Sequence, residues 1–127
     1  NWYDWRVHNW GTKWDVADYY CSTKDDTEFV CTFNTAWAPP TTWLTHVSKL
    51  YPKLMFRLEY IEEGMCFCGV STALNGVLSD EEGEIGHEDE DGERVVWDKE
   101  KDKWKYVDSG EIIDDDDFYP NAVNIFA

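Results

Sequence analysis

Carboxylates are the side chains this sequence gathers most densely. From Asp80 to Glu93 nine of fourteen residues are acidic, among them Glu82, Glu84, Glu88, Asp89, Glu90, Asp91 and Glu93, and no Lys or Arg interrupts the run before Arg94. A second run, Asp114, Asp115, Asp116 and Asp117, lies farther on. Grouped carboxylates can hold a divalent cation, move protons, or present a field to a cationic partner. Extended at roughly 3.3 Å per residue, the first run spans roughly 46 Å, about one charge per 5 Å. A nucleic-acid strand carries one charge per ~3.4 Å and a duplex one per ~1.7 Å. Folded back as a hairpin and joined by Glu111 and Asp114–Asp117, the run approaches the density of one strand face. Such a surface attracts the basic groove of a nucleic-acid enzyme, with long-range steering and strong salt sensitivity. The plainer alternative is a flexible, solvated loop that keeps the protein in solution.

The calcium frame is incomplete. Asp89, Asp91, Gly92 and Asp98 fall at positions 3, 5, 6 and 12 of an EF-hand loop, but His87 occupies position 1 and Gly83 and Gly86 interrupt the entering helix. A second cluster of chemistry surrounds Trp10, Lys13, Trp14 and Trp37. Aromatic faces beside a Lys and Asp15 define an alternative pocket for a ligand or a small-molecule reaction. The structural alternative has Trp10 and Trp14, at i and i+4, and Trp37 packing into the core. His8, His46 and His87 share no metal spacing, and no G-x-S-x-G, H-E-x-x-H, Walker or G-x-G-x-x-G pattern occurs. No catalytic residue, metal or cofactor is assigned.

Cysteines stand at 21, 31, 66 and 68. Only Cys66 and Cys68 are close in sequence, which is poor zinc spacing, so all four are expected as free thiols acting as small hydrophobes in a reducing, cytoplasmic setting. No apolar run approaches the roughly 20 residues of a membrane span, and no signal peptide opens the chain.

Length and charge bound the rest. The 127 residues suit one domain, and 43% hydrophobic with 17% aromatic residues supply a core. A formal charge of −16 repels phosphate, which disfavours direct nucleic-acid binding and anionic membranes. The charge is segregated: residues 1–79 carry nine acids and six bases, whereas 80–117 carry eighteen acids and five bases. Six of the eight Trp precede residue 44, so the chain reads as a packed domain, 1–79, followed by a mobile acidic segment, 80–127, within the same domain.

The elements that must position these groups follow from periodicity. Residues 2–10 suit a short amphipathic helix ended by Gly11. Residues 28–37 alternate with period two, placing Phe29, Cys31, Phe33, Thr35 and Trp37 on one face of a strand that Pro39-Pro40 stops. A helix starts at Pro40-Thr41-Thr42 and carries Leu44, Val47, Leu50 and Tyr51 as its stripe, with His46 toward solvent. Strands at 55–61 and 65–73 form a hairpin, Asn75-Gly76 makes a two-residue turn, and 95–97 with 104–107 suggest a second hairpin. Val123–Phe126 suit either a docking tail or a last strand, the strand being the stronger reading.

Three blocks carry a resemblance. They are Asp4-Trp5-Arg6 with Asn9-Trp10-Gly11-Thr12-Lys13-Trp14-Asp15, then Phe33-Asn34-Thr35-Ala36-Trp37-Ala38-Pro39-Pro40, then Tyr60-Ile61-Glu62-Glu63-Gly64 with Phe67-Cys68-Gly69. In this order they resemble the YubB-type ferredoxin-like domain of plasmid and bacteriophage proteins over residues 2–79. The resemblance implies an α+β fold, a ferredoxin-like antiparallel sheet with one or two helices packed on one face, and no iron–sulfur cluster. It also implies a strand and helix ahead of the first block, so the chain reads as a shortened member or as lacking an N-terminal piece. The acidic segment is read as an extension beyond the family pattern.

The functional expectation is non-catalytic: a phage- or plasmid-borne protein binding a host nucleic-acid-handling or defence protein that has a basic surface, as inhibitor or trigger. It would act in the cytoplasm of a bacterial host. The alternative is a small enzyme or ligand-binding domain using the aromatic pocket.

Overall fold

Eleven elements follow one another in the computed structural model, which describes residues 1–127. They are α1 (Trp2–Trp10), β1 (Ala17–Thr23), β2 (Phe29–Asn34), α2 (Thr41–Leu50), β3 (Met55–Glu62), β4 (Phe67–Leu74), β5 (Val77–Glu84), β6 (Gly86–Glu88), β7 (Arg94–Asp98), β8 (Lys103–Tyr106) and β9 (Asn121–Val123). The strands form three sheets, ordered β1-β2, β3-β4-β5 and β8-β7-β6-β9. The class is α+β with antiparallel sheets and two helices. Two units emerge from the packing, residues 1–57 with 71–79 and residues 58–70 with 80–127, and the division falls within β3, β4 and at the middle of β5.

In the first unit, Asn1 caps α1 by accepting the Asp4 amide at 2.9 Å. Gly11 ends the helix in the left-handed region, φ 81°, and its amide reaches the Val7 carbonyl. A side chain there would press on Thr42 at the start of α2, so glycine serves both the cap and the close approach of the two helices. Helix α2 buries Leu44 and Ser48. The stripe is thus rotated from the sequence reading, since Leu50 and Tyr51 are exposed while His46 faces solvent as expected. Ser48 Oγ is fully buried, donates to the Thr45 carbonyl and accepts the Gly76 amide at 2.8 Å. That bond fixes the Asn75–Gly76 turn, both of whose residues have positive φ, as a two-residue antiparallel hairpin requires.

Strands β1 and β2 make an antiparallel ribbon whose residues are almost all exposed. Two strands without a buried face are marginal alone. Cys21 and Cys31 stand opposite each other in the register and are joined as a disulfide. This corrects the expectation of four free thiols: directly opposed cross-strand positions bring the sulfurs together, which spacing in sequence does not reveal. Cys66 is exposed in the turn before β4, and only Cys68 behaves as the buried small hydrophobe expected of all four.

The tryptophans expected to pack inward, Trp14 and Trp37 among them, lie outside the core. Trp2, Trp5, Trp14, Trp37 and Trp43 are all exposed, and α1 buries none of its residues. The strand that was to carry Trp37 inward ends at Asn34, and Trp37 takes φ 63° in the following loop. The buried apolar residues are instead few and mostly small: Leu44 and Ala73 in the first unit, and Cys68, Val70 and Val95 in the second. Strand β4 lies between two neighbours and is buried on both faces, which is why Cys, Gly, Ser and Ala succeed one another along it.

In the second unit the acid-rich segment is folded, not mobile. Strand β5 continues through Asp80–Glu84, and β6, β7, β8 and β9 form a four-stranded antiparallel sheet. Trp104 is the hub of its aromatic cluster, touching Trp97 edge-on at 5.4 Å, His87 at 5.0 Å and Phe118 at 6.5 Å. The chain end is tied down by Asn124, whose Nδ2 donates to the carbonyls of Tyr60 and Gly69 at 2.9 and 2.8 Å while Oδ1 accepts the Phe126 amide. No helix is long and apolar enough to cross a membrane.

Leu44→Ala should cost about 2–5 kcal/mol in urea unfolding followed by circular dichroism, the range for truncating a buried leucine. Native protein should titrate one thiol rapidly with an aromatic disulfide reagent, Cys66, and release Cys68 only on unfolding. Two rapid native thiols would contradict the burial of Cys68.

Candidate partner-binding site

The charge belongs to one unit. Residues 58–70 and 80–127 hold 21 of the acidic and five of the basic residues, a net of −16, and the other unit has six of each and is neutral. Glu59, Glu62 and Glu63 sharpen the partition that the sequence divided at residue 79.

On β5, Asp80, Glu82 and Glu84 alternate along one face at roughly 6.7 Å intervals. The Tyr60 hydroxyl bridges the first two, donating to Asp80 Oδ1 at 3.0 Å and Glu82 Oε2 at 3.1 Å. To reach them the phenol crosses β4 at Gly69, where any Cβ would collide with the ring and with the Glu81 carbonyl. Burial, the two carboxylate bonds and the two negative charges raise the Tyr60 pKa well above the usual tyrosine value.

The β6–β7 hairpin carries the densest acids. Asp89 organises its tip: Oδ1 accepts the amides of Asp91 and Glu93 at 3.0 and 2.9 Å, and Oδ2 accepts the Tyr106 hydroxyl at 3.0 Å. Backbone amide bonds, with Tyr106 after them, hold its pKa below the ordinary carboxylate value, and Tyr106 in turn is raised by its bond to Asp89. The positions that suggested an EF-hand are therefore those of a hairpin turn. Asp98 likewise caps its own turn, accepting from Glu100 and Lys101, and pairs with Lys105 at 3.1 Å. No group of three or more His, Cys, Asp or Glu stands close enough to ligate a metal.

The second acidic run lies elsewhere on the sheet. Asp114 accepts from Lys103 Nζ at 2.7 Å, Asp116 is 3.8 Å from the same ammonium, and Asp115 receives the Asp117 amide. Lys103 pairs with Asp98 in the β7–β8 register, whereas Tyr106 pairs with Val95 beside the Asp89–Glu93 tip. Three residue steps, about 10 Å, separate these ends. The Glu88–Glu93 tip and the Asp114–Asp117 run thus flank opposite ends of the four-stranded sheet, while Asp80–Glu84 lie on β5 of another sheet, and the acids do not merge into one face. Glu111 does join the tip, its carbonyl accepting the Tyr106 amide.

Five of the eleven acids singled out from sequence have structural partners: Glu82, Asp89, Asp114, Asp115 and Asp116. Side chains without one are those of Glu84, Glu88, Glu90, Asp91, Glu93 and Asp117. Tyr60 and Tyr106, which order the acids, were not singled out. Their alternation in the strands was visible, but their partners depend on pairing register.

Of the alternative pocket, Lys13, Trp14 and Trp37 converge. The Lys13 ammonium lies 4.9 Å from the Trp14 ring and 5.1 Å from Trp37. Trp10 is separate, edge-on to Trp5 at 5.7 Å with the Arg6 guanidinium over its ring.

The two helices and antiparallel sheets make an α+β domain, and the family match over most of it is to a ferredoxin-like domain. The family described as the ferredoxin-like domain in Api92-like protein matches residues 10–105, about three quarters of the chain, and this chain belongs to it. The acidic strands from Asp80 to Asp98 fall inside that span. No curated protein and no solved structure matches the chain.

Since the Tyr60 pKa is raised in the folded state, its contribution to stability is complete below about pH 10 and is lost as pH rises beyond it. Alkaline unfolding should therefore begin above pH 10, and Tyr60→Phe should flatten that limb. For Asp89 the sign reverses: its contribution is complete above about pH 4 and disappears as pH falls through the depressed value. Amide exchange at Asp91 and Glu93 should accelerate selectively in acid, and Asp89→Ala should give the same acceleration at pH 7.

Proposed function

We propose that this chain is a non-catalytic accessory protein that binds a host nucleic-acid-handling or defence protein through carboxylates of its acidic unit. The single observation that supports this most is the confinement of the entire net charge of −16 to one folded unit. Acids that served only solubility would have no need of ordered turns and strands. Here Asp89, Asp98 and Asp115 fix turns, so their unpartnered neighbours are held in place before a partner arrives, which lowers the ordering cost of association. The spacing of Asp80, Glu82 and Glu84 along β5 is close to the through-space separation of successive phosphates, which favours a basic groove shaped for a nucleic-acid backbone.

A plasmid or bacteriophage origin, as the YubB-type resemblance implies, suits such a role in the cytoplasm of a bacterial host, as inhibitor or as trigger of defence. The reading assigns no catalytic residue, metal or cofactor.

The test is capture of partners from bacterial lysate at low salt and at about 0.5 M salt, followed by binding of the purified partner in competition with nucleic acid. A basic nucleic-acid protein should be recovered at low salt, lost at high salt, and displaced by nucleic acid. Neutralising Glu84, Glu88, Glu90, Asp91, Glu93 and Asp117 as amides should weaken binding by more than about tenfold without unfolding the chain, because none of these side chains holds the fold. Undiminished binding by that variant would overturn the proposal.

A further inference from the structure

Three aromatic rings surround one ammonium in the neutral unit. Lys13 Nζ lies 4.9 Å from the centre of the Trp14 ring, 5.1 Å from Trp37 and 5.9 Å from Tyr3. The two indoles are 6.3 Å apart and tilted by 35°. Trp14 and Trp37 are 53% and 63% exposed, so neither gains the burial that ordinarily places tryptophan in a fold.

Their placement is nonetheless enforced. Thr12, 4% exposed, donates to the Ala36 carbonyl at 3.1 Å and accepts the Ala36 amide at 3.2 Å, locking the loop after α1 to the loop after β2. Thr35 donates to the Ala38 carbonyl, and the Ala38 amide to the Ala36 carbonyl. Within this clamp Trp37 adopts φ 63°, a conformation bulky side chains avoid. Backbone strain held by surrounding bonds, with the strained side chain turned outward, is a common mark of a binding site.

The distances point to a particular occupant. A carbon in van der Waals contact with a ring lies roughly 3.5–4.0 Å away. A nitrogen bearing that carbon stands about 1.5 Å farther back. Its separation from each ring is then roughly 5.0–5.5 Å; the Trp14 and Trp37 distances of 4.9 and 5.1 Å lie at the near edge of that spacing, while Tyr3 at 5.9 Å stands farther back, which leaves a primary ammonium loosely held and room for a bulkier cation. Quaternary ammonium groups are also the characteristic ligands of aromatic cages, being poorly hydrated cations.

We propose that Tyr3, Trp14 and Trp37 form a recognition site for a trimethylammonium group, with Lys13 as a tethered stand-in that the ligand displaces. The site lies in the neutral unit, so it is independent of the acidic surface and stands or falls separately from it.

Tetramethylammonium is the first probe, titrated against tryptophan fluorescence at constant ionic strength. Saturable quenching is expected for the wild type and about fivefold tighter quenching for Lys13→Ala, which empties the cage. Lys13→Met, which keeps the aliphatic stem, should also bind more tightly than the wild type. Trp14→Ala and Trp37→Ala should abolish the response while circular dichroism stays unchanged. Choline and a trimethyl-lysine peptide then separate a free small molecule from a modified side chain as the source, by which of them binds more tightly. Potassium and 3,3-dimethyl-1-butanol, the neutral isostere of choline, should not bind. Absence of saturation in both Lys13 variants, or equal binding of choline and its isostere, would overturn the proposal.

Discussion

Mutual repulsion among 21 carboxylates within 61 residues is the constraint around which the acidic unit is built. At this density a compact state is disfavoured unless some of the charge is offset locally. The structure does this mostly without ion pairs. Asp89, Asp98 and Asp115 accept backbone amides, and Tyr60 and Tyr106 bring phenolic protons to Asp80, Glu82 and Asp89. Only Lys103 and Lys105 make ion pairs with acids of the sheet; the Lys103 partners Asp114 and Asp116 are surface groups, for which such pairs contribute little, and only Asp98 beside Lys105 is largely covered. Neutral donors therefore organise the anions without cancelling their charge. The field survives folding, and that is the property a charge-reading partner requires.

The same logic explains the sparse core. Strand β4 supplies Cys68, Val70 and Ala73 from residues of small volume, and its Gly69 gives up a side chain so that the Tyr60 ring can pass. Asn124 closes this crossing by bonding to the carbonyls of both Tyr60 and Gly69. Packing and charge organisation thus meet at one position on β4. In the other unit the aromatic residues that could have enlarged a core remain outside, where Trp14 and Trp37 face Lys13.

Much of the local architecture is legible in the sequence because the signals are short-range. Gly11 and Asn75-Gly76 mark left-handed backbone, alternation marks β2 and β3, short apolar runs mark β7 and β8, and Pro39-Pro40 separates β2 from α2. What escaped is set by distant partners. Asp80–Glu84 have poor strand propensity and extend β5 only because β4 offers a ladder. The three-residue strands β6 and β9 are too short to show a period, and β1 becomes a strand through its pairing with β2. Tryptophan content argues for a buried core on average, yet five of the first six tryptophans are exposed, since a loop clamped by Thr12 can hold them outside. Of the site, the identities of the acids were readable. Their distribution over β5 and the two ends of the four-stranded sheet was not, because strand pairing and register determine it.

The Ser48–Gly76 bond has a chemical consequence beyond packing. Asparagine followed by glycine is the sequence most prone to spontaneous deamidation, in which the glycine nitrogen attacks the side-chain amide and closes a succinimide ring. At Asn75 that nitrogen is committed to Ser48 Oγ at 2.8 Å, within a turn whose backbone holds both residues at positive φ. The contact that anchors α2 thus also slows ageing at the one Asn-Gly step in the chain, and preserves the neutrality of the unit that carries the aromatic cage.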